Sequence, residues 1–308
     1  MPAGTAVAFL GPEGTFTSEA ADLASPDRPR MPLPTIAEVV RAARERQALL
    51  GIVPIENSIE GAVNLTLDEL VFGPPGAFIR GELALPITMA LMARSGTTLG
   101  DIAEVRSQPV ALAQCRQRLA EHLPPVRISS ATSTAEAARH VAEGDGTLAA
   151  LGTPHAAERY GLKVLVPNLA DHAGNTTRFV VLGTAMAEAT GADKTSLVVF
   201  LGEDRPGLLL RVLEEFALRG INLNKIESRP TKRALGQYCI LIDCEGHPRD
   251  ARVGEALRSV HRHVADVRVL GAYPRADLRR VEADRSNSDA AYSEAGSWYD
   301  RLLGDVEA

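Results

Sequence analysis

The chain has 308 residues, 45% of them hydrophobic and 23% charged, with a formal net charge of −6. That length exceeds what one core usually organises, so two domains are expected, and the composition is that of a folded globular chain. The acidic balance gives no electrostatic reason to expect nucleic acid, so a small-molecule ligand is the expectation. No apolar run approaches the ~20 residues a bilayer span needs. No Lys or Arg precedes the short apolar stretch within residues 1–10, which argues against a secretory leader and for a cytoplasmic location. Cys115, Cys239 and Cys244 are odd in number and lack CxxC spacing, which predicts buried, reduced thiols.

In chain order, residues 1–183 alternate short Val/Ile/Leu/Ala runs with helical patterns, as an α/β sheet with crossover helices requires. Strands are predicted at 7–10, 51–54, 83–91, 126–128, 148–151, 163–166 and 178–182. Ser133 and Glu136 have capping-box spacing ahead of Ala137, Ala138 and Val141, so a helix is predicted to start there, its free N–H groups able to face an anion. Small residues at 185–194, with Gly191, read as a linker. Beyond it, strand 196–201 leads through Asp204-Arg-Pro-Gly207 to a helix with Leu209, Val212, Leu213 and Phe216 at helical spacing, stopped by Gly220. Strands 221–230 and 236–243, a helix over 249–263 with Val253, Leu257 and Val260 inward, and strand 265–271 complete a ferredoxin-like βαββαβ order. The tail 275–308 is polar apart from Trp298 and Tyr299 and reads as disordered or as a loosely attached helix.

Three segments carry candidate chemistry. Gly11-Pro-Glu-Gly-Thr-Phe-Thr-Ser18 joins the first strand to a helix and offers the hydroxyls of Thr15 and Thr17. It is neither a GxGxxG nor a GxxxxGK[ST] fingerprint, which argues against a nucleotide and against a dinucleotide-dependent oxidoreductase. Ile52-Val-Pro-Ile-Glu-Asn-Ser-Ile-Glu-Gly61 delivers Glu56, Asn57 and Ser58 to a strand's C-terminal end, where open α/β sheets bind ligands. A turn held by the Asn57 and Ser58 side chains is the alternative. Asn175-Thr-Thr-Arg-Phe179 places a hydroxyl beside a guanidinium at the mouth of an apolar strand, suited to an anionic substrate or, equally, to an edge ion pair.

Together these segments resemble the prephenate dehydratases, which show GPxGTFT, PIENSxEG and TRF in this order. The resemblance extends to Ser107-Gln-Pro-Val-Ala-Leu-Ala-Gln-Cys115 and Ser133-Thr-Ala-Glu-Ala-Ala138, and covers residues 6–271. Gln108 stands where the family commonly has His, and Val110 where Gln is common. Asp204-Arg-Pro-Gly-Leu-Leu-Leu210 and Glu227-Ser-Arg-Pro230 resemble the DxPGAL and ESRP segments of an ACT regulatory domain, with Leu208 in place of Ala.

The resemblance implies an α/β fold with a two-subdomain, periplasmic-binding-protein-like catalytic unit at 1–187 (1–80 with 170–187, and 81–169). An ACT domain at 195–274 and the tail 275–308 would follow. No chorismate mutase helices precede Val7, so a monofunctional enzyme is expected. It implies decarboxylating dehydration of prephenate to phenylpyruvate, carried by Thr177 as donor to the departing hydroxyl, with Arg178, Asn57, Ser107 and Gln114. Thr15, Glu56, Ser58 and Ser133 would help bind substrate. Glu56 is a proton donor only if burial raises its pKa, and a structural role ranks slightly ahead. L-Phenylalanine would bind at Gly207, Leu208, Leu209, Glu227, Ser228 and Arg229 between paired ACT domains, in a homodimer or homotetramer. Without the resemblance, Leu208 to Leu210 read as core and Arg229 as a surface charge.

No cofactor, metal, nucleic acid or membrane is expected. His261 and His263 lie two apart on a helix and face different ways, and the other histidines are scattered. Arogenate is a rival substrate, and a non-catalytic sensor of aromatic metabolites is a rival of another class.

Overall fold

The structure, a computed structural model, describes residues 4–123, 125–202, 205–280 and 283–307. The chain divides into two compact units, one holding residues up to 75 with 83–183, the other 76–82 with the chain from 184 onward. The first unit begins β1 (Val7–Leu10), α1 (Phe16–Ala24), β2 (Arg30–Leu33), α2 (Ile36–Arg44), β3 (Leu50–Asn57), β4 (Gly61–Ala62) and α3 (Asn64–Val71), and takes residues 83–86 of β5 (Phe78–Pro86), whose earlier residues belong to the second unit. It continues β6 (Ala90–Ala93), β7 (Glu104–Ser107), α4 (Pro109–Gln114), α5 (Arg116–His122), β8 (Arg127–Ser130), α6 (Thr134–Glu143), β9 (Leu148–Gly152), α7 (Pro154–Arg159), β10 (Lys163–Val166) and β11 (Thr176–Gly183).

These strands make two sheets. One runs β2-β1-β3-β11, with β4 on β3 and β5 beside β11, and the other runs β10-β6-β9-β7-β8. The first is parallel from β2 to β3 and turns antiparallel at β11. Val7, Ala8 and Phe9 are fully buried, because a parallel strand covered on both faces reads as an unbroken apolar run. Each sheet has its own core, around Phe9, Ile52 and Phe179 in one and Leu91, Val105, Leu119 and Leu151 in the other, and Phe16 packs against both.

The predicted strand 83–91 is two strands, because Pro86 ends the first and the chain crosses to the second sheet over 87–89. It returns over 167–175. The two crossings are tied together where Ile87 N–H donates to Asn175 O at 2.7 Å, and Leu169 N–H to Met89 O at 2.7 Å. β2 and β7 were not predicted; each is only four residues long and interrupted by polar or proline residues.

The second unit runs β12 (Asp193–Phe200), α8 (Leu208–Ala217), β13 (Leu223–Pro230), β14 (Tyr238–Glu245), α9 (Ala251–His263), β15 (Asp266–Pro274) and α10 (Asp289–Glu307). The order β13-β14-β12-β15 is antiparallel at each pairing, the predicted βαββαβ arrangement. Leu197, Val199, Val212, Phe216, Ile242, Val253 and Val260 form its core. Leu209, expected on the buried stripe of α8, is 39% exposed, since it sits in the first turn ahead of Val212.

The 185–194 linker ends in a turn tied by Asp193, which accepts from Thr190 N and Thr190 Oγ1 at 2.7 Å each. Lys194 reaches Glu82 of the 76–82 segment at 2.9 Å, both side chains nearly buried, so each charge has a partner. The tail is helical at α10, whose Asp289 carboxylate accepts from Ala251 N at 2.8 Å. Among the described residues no helix is long and apolar enough to cross a membrane. The three cysteines are free and buried, and burial pushes the Cys115 and Cys244 thiols up to about 12.

Gly271 pairs with Ile79 so closely that a Cβ there would meet the Ile79 backbone N at 2.6 Å and C at 2.7 Å. Gly271→Ala is expected to destabilise the protein by about 2 kcal/mol through backbone overpacking, read as a lower midpoint in denaturant unfolding.

Candidate active site

A cleft of about 910 Å³ lies within the first unit. Its walls come from the β1–α1 turn, the ends of β3 and β11, and the starts of α4 and α6. β3 and β11 pair with Asn57 opposite Thr177 and Glu56 opposite Arg178. Side chains alternate across a strand, so adjacent cross-strand pairs serve opposite faces. Asn57 and Thr177 therefore line the cleft. Glu56 and Arg178 turn away from it and hold each other, with Arg178 Nε and Nη2 on Glu56 Oε2 at 3.1 and 3.0 Å.

The Asn57 side chain is fixed at both ends. Its Oδ1 accepts from the backbone N–H of Ile59 and Glu60, each at 2.9 Å, so the turn after β3 is built around it. Its Nδ2 then has to donate, and does so to Asn175 Oδ1 at 2.7 Å and Thr177 Oγ1 at 2.9 Å. With an N–H already donated to its oxygen, the 9%-exposed Thr177 hydroxyl has its own proton to offer elsewhere.

Thr15 caps α1 by accepting from Ser18 N at 3.2 Å. Ser133 caps α6 by accepting from Glu136 N at 3.0 Å. The predicted reciprocal contact is displaced by one residue: the Glu136 carboxylate takes Thr132 N and Oγ1, which lowers its pKa. Both helix starts contribute residues to the cleft lining, and a helix start carries first-turn N–H groups without intrahelical partners and the positive end of the helix dipole. No Arg, Lys or His is among the described residues that line it, and Glu60 is the one ionisable side chain there. Gln114 also lines it and donates from Nε2 to Glu60 Oε1 at 3.1 Å, bridging the two lobes. A second bridge runs from α7, where Thr153 Oγ1 donates to Gly14 O at 3.2 Å, Tyr160 OH to Glu13 O at 2.9 Å, and Arg159 pairs with Glu13.

The structure does not bring Ser107 or Ser58 to the cleft wall. Ser107 is fully buried and its Oγ donates to Leu151 O at 2.6 Å, tying β7 to β9. Ser58 accepts from Thr176 N at 2.9 Å and ties the β3 turn to β11. Glu60, Gln108, Asn175, Thr132 and Thr134 line the cleft without having been singled out for binding. Glu60 and Asn175 lie inside the quoted motifs, so their position was the available signal.

In the second unit, Gly207 takes the left-handed φ of 80° at the start of α8, followed by Leu208 and Leu209. Asp204 lies outside the described residues. Alternation along β13 puts Glu227 and Arg229 on one face, 3.7 Å apart, and leaves Ser228 exposed on the other. Arg229 is 9% exposed, which corrects its reading as a surface charge: the strand turns it inward beside Glu227. A cavity of about 440 Å³ is bordered by Leu208 with Arg205, Arg211 and His263, and by none of the other five expected effector residues. Among the described residues no His, Cys, Asp and Glu group could hold a metal.

A two-lobed α/β unit with a largely apolar cleft that carries a few convergent polar groups, followed by a βαββαβ unit, defines the class: a small-molecule enzyme with an ACT module. Residues 7–187 match the prephenate dehydratase family and residues 195–262 the ACT domain. A Mycobacterium tuberculosis prephenate dehydratase is 42% identical over 280 residues, 87% of this chain and 86% of that one. The Arthrobacter aurescens prephenate dehydratase, solved with L-Phe, aligns with a TM-score of 0.87 at 42% identity over 97% of this chain and 99% of that one. GqqA, described as a quorum-quenching acylase, aligns at 0.80 with 29% identity over 89% and 99%. The chain belongs to the prephenate dehydratase family and is a lyase.

Two variants separate scaffold from site. Ser107→Ala is expected to cost about 1 kcal/mol of stability by leaving the Leu151 carbonyl short of a donor, with kcat little changed. Asn57→Asp keeps the acceptor for Ile59 and Glu60 but loses the donor to Thr177, and should lower kcat by about 10²-fold at near-native stability.

Proposed function

We propose that the protein converts prephenate to phenylpyruvate, carbon dioxide and water in the cytoplasm, and that L-phenylalanine inhibits it through the ACT domain. The assignment places the catalytic domain at 1–187, the ACT domain at 195–274 and the tail at 275–308. The observation that carries the reaction is the Asn57–Thr177 pair, which leaves a hydroxyl proton free to donate in a cleft with no described cationic residue in its lining.

In prephenate the ring carboxylate must leave as CO2 while the C4 hydroxyl leaves on the same ring. A cation on that carboxylate would stabilise the ground state more than the transition state, where its charge is passing into the ring. The cleft instead supplies hydrogen bonds from Ser133, Gln114 and two helix starts, which suit a dianion without clamping it, while Thr15, whose hydroxyl donates to Pro12 O at 3.0 Å, shapes the turn that lines it. Thr177 donates to the C4 oxygen as the C–O bond lengthens. Arg178 and Glu56 hold β3 and β11 in register behind the pair, and Ser107 and Ser58 position the walls.

An acylase reading, which the GqqA likeness raises, is disfavoured because no described cleft residue is a His, Lys or Cys that could activate a nucleophile. The inhibitory reading rests on the ACT match and on the Arthrobacter relative's complex with L-Phe. Gly207, Leu208, Leu209, Glu227, Ser228 and Arg229 are the proposed effector residues. β13 is an edge strand with Ile226 half exposed, a surface suited to pairing with a second copy in a homo-oligomer. Inhibition requires that phenylalanine bind two states of the enzyme unequally.

Purified protein should release phenylpyruvate from prephenate, and L-phenylalanine should suppress it. Thr177→Ala should lower kcat by about 10²-fold or more, while Thr177→Ser, which keeps the hydroxyl, should retain most of it. Faster turnover of arogenate in competition would move the substrate assignment, and no turnover of either would favour the binding-regulator reading.

A further inference from the structure

Expelling the C4 hydroxyl consumes a proton, and the cleft must deliver it. Threonine is a poor source, because the alkoxide left behind is about as basic as the hydroxide it would neutralise. Thr177 can hydrogen-bond the leaving oxygen but gains little by giving its proton up. Glu60 is the one ionisable side chain among the described residues that line the cleft. It is held there twice, by its own backbone N–H on Asn57 Oδ1 at 2.9 Å and by Gln114 Nε2 on its Oε1 at 3.1 Å.

Resting on the prephenate reading of this cleft, we propose that Glu60 is the catalytic acid that protonates the departing C4 hydroxyl. The ring carboxylate's C–C bond breaks and its electron pair enters the ring as the π system becomes aromatic. The C4–O bond breaks and its pair leaves with oxygen, which takes the Glu60 proton to become water. Glu60 is exposed at the cleft edge and regains a proton from solvent. Overall, prephenate dianion and one proton give phenylpyruvate anion, carbon dioxide and water.

The surrounding charges fit this role. On the strand leading to Glu60, Glu56 is engaged by Arg178. Beside Gln114, whose backbone O accepts from Asp171 N at 2.8 Å, the Asp171 carboxylate accepts from the Gln117 and Arg118 amides at 3.1 and 2.9 Å. Arg116, Arg118 and His172, all exposed, and the buried Cys115 thiol are charged or titratable groups near Asp171, and none of them lines the cleft. No described cationic residue shares the cleft lining with Glu60.

Glu60→Gln tests the proton alone, because the amide oxygen still accepts from Gln114. Wild-type turnover of prephenate first secures the reaction itself, independently of Glu60. The kcat of Glu60→Gln should then fall by about 10²- to 10³-fold, with KM little changed and the thermal midpoint at the wild-type value. The wild-type rate should fall as pH rises, and this alkaline limb should be absent in Glu60→Gln, while Glu60→Asp should restore both part of the rate and the limb. A Glu60→Gln enzyme within threefold of wild type, or one that is slow but keeps the wild-type pH profile, would overturn the assignment.

Discussion

The Asn57 carboxamide is the interaction on which the cleft depends. Its oxygen is committed to two backbone N–H groups of the turn it occupies, so its nitrogen has no freedom of direction and must donate across to β11. One side chain thereby shapes the turn carrying Glu60, joins the two strands that end in the cleft, and sets the polarity of the Thr177 hydroxyl. Burial makes such a network costly to leave half satisfied, which is why Asn175, 5% exposed, takes up the remaining amide proton.

Around this centre the lobes are joined in two different ways. The chain crosses twice, over 87–89 and 167–175, and the crossings hydrogen-bond to one another. Side chains then bridge the lobes at Gln114–Glu60 and from α7 to the Glu13–Gly14 turn. Thr153 and Tyr160 both address backbone carbonyls there, so that turn is held by its conformation more than by the identity of its side chains. Gly14, at a φ of 83°, leaves room for the Tyr160 ring, which a Cβ would meet at 3.0 Å.

Much of this was legible in the sequence. The apolar runs at β1 and β3, the βαββαβ rhythm after residue 193, and the strand-end placement of Asn57 and Thr177 follow from local pattern. What local pattern does not carry is register. Whether Arg178 or Thr177 faces the ligand depends on how β11 aligns with β3, a pairing between residues more than a hundred positions apart. Ser107 is a strand-end serine in sequence, but the carbonyl that consumes its proton belongs to β9. Pro86 marks a strand end, yet without the second sheet nothing says that the following apolar residues belong to a different strand. Alternation along β13 was readable, but which face is covered was not, and so Arg229 read as exposed.

The lack of a cationic side chain among the described cleft residues also bears on how molecules enter and leave it. On the proposed reading, a site that would hold a dianion through amides, hydroxyls and helix ends, with no described cation in its lining, has little long-range pull on its substrate, so encounter would be governed by diffusion and fit and respond weakly to ionic strength. The same feature eases departure. Once carbon dioxide and water have gone, the remaining product carries one carboxylate and meets no fixed counter-charge, so it is retained only by hydrogen bonds that water can readily replace.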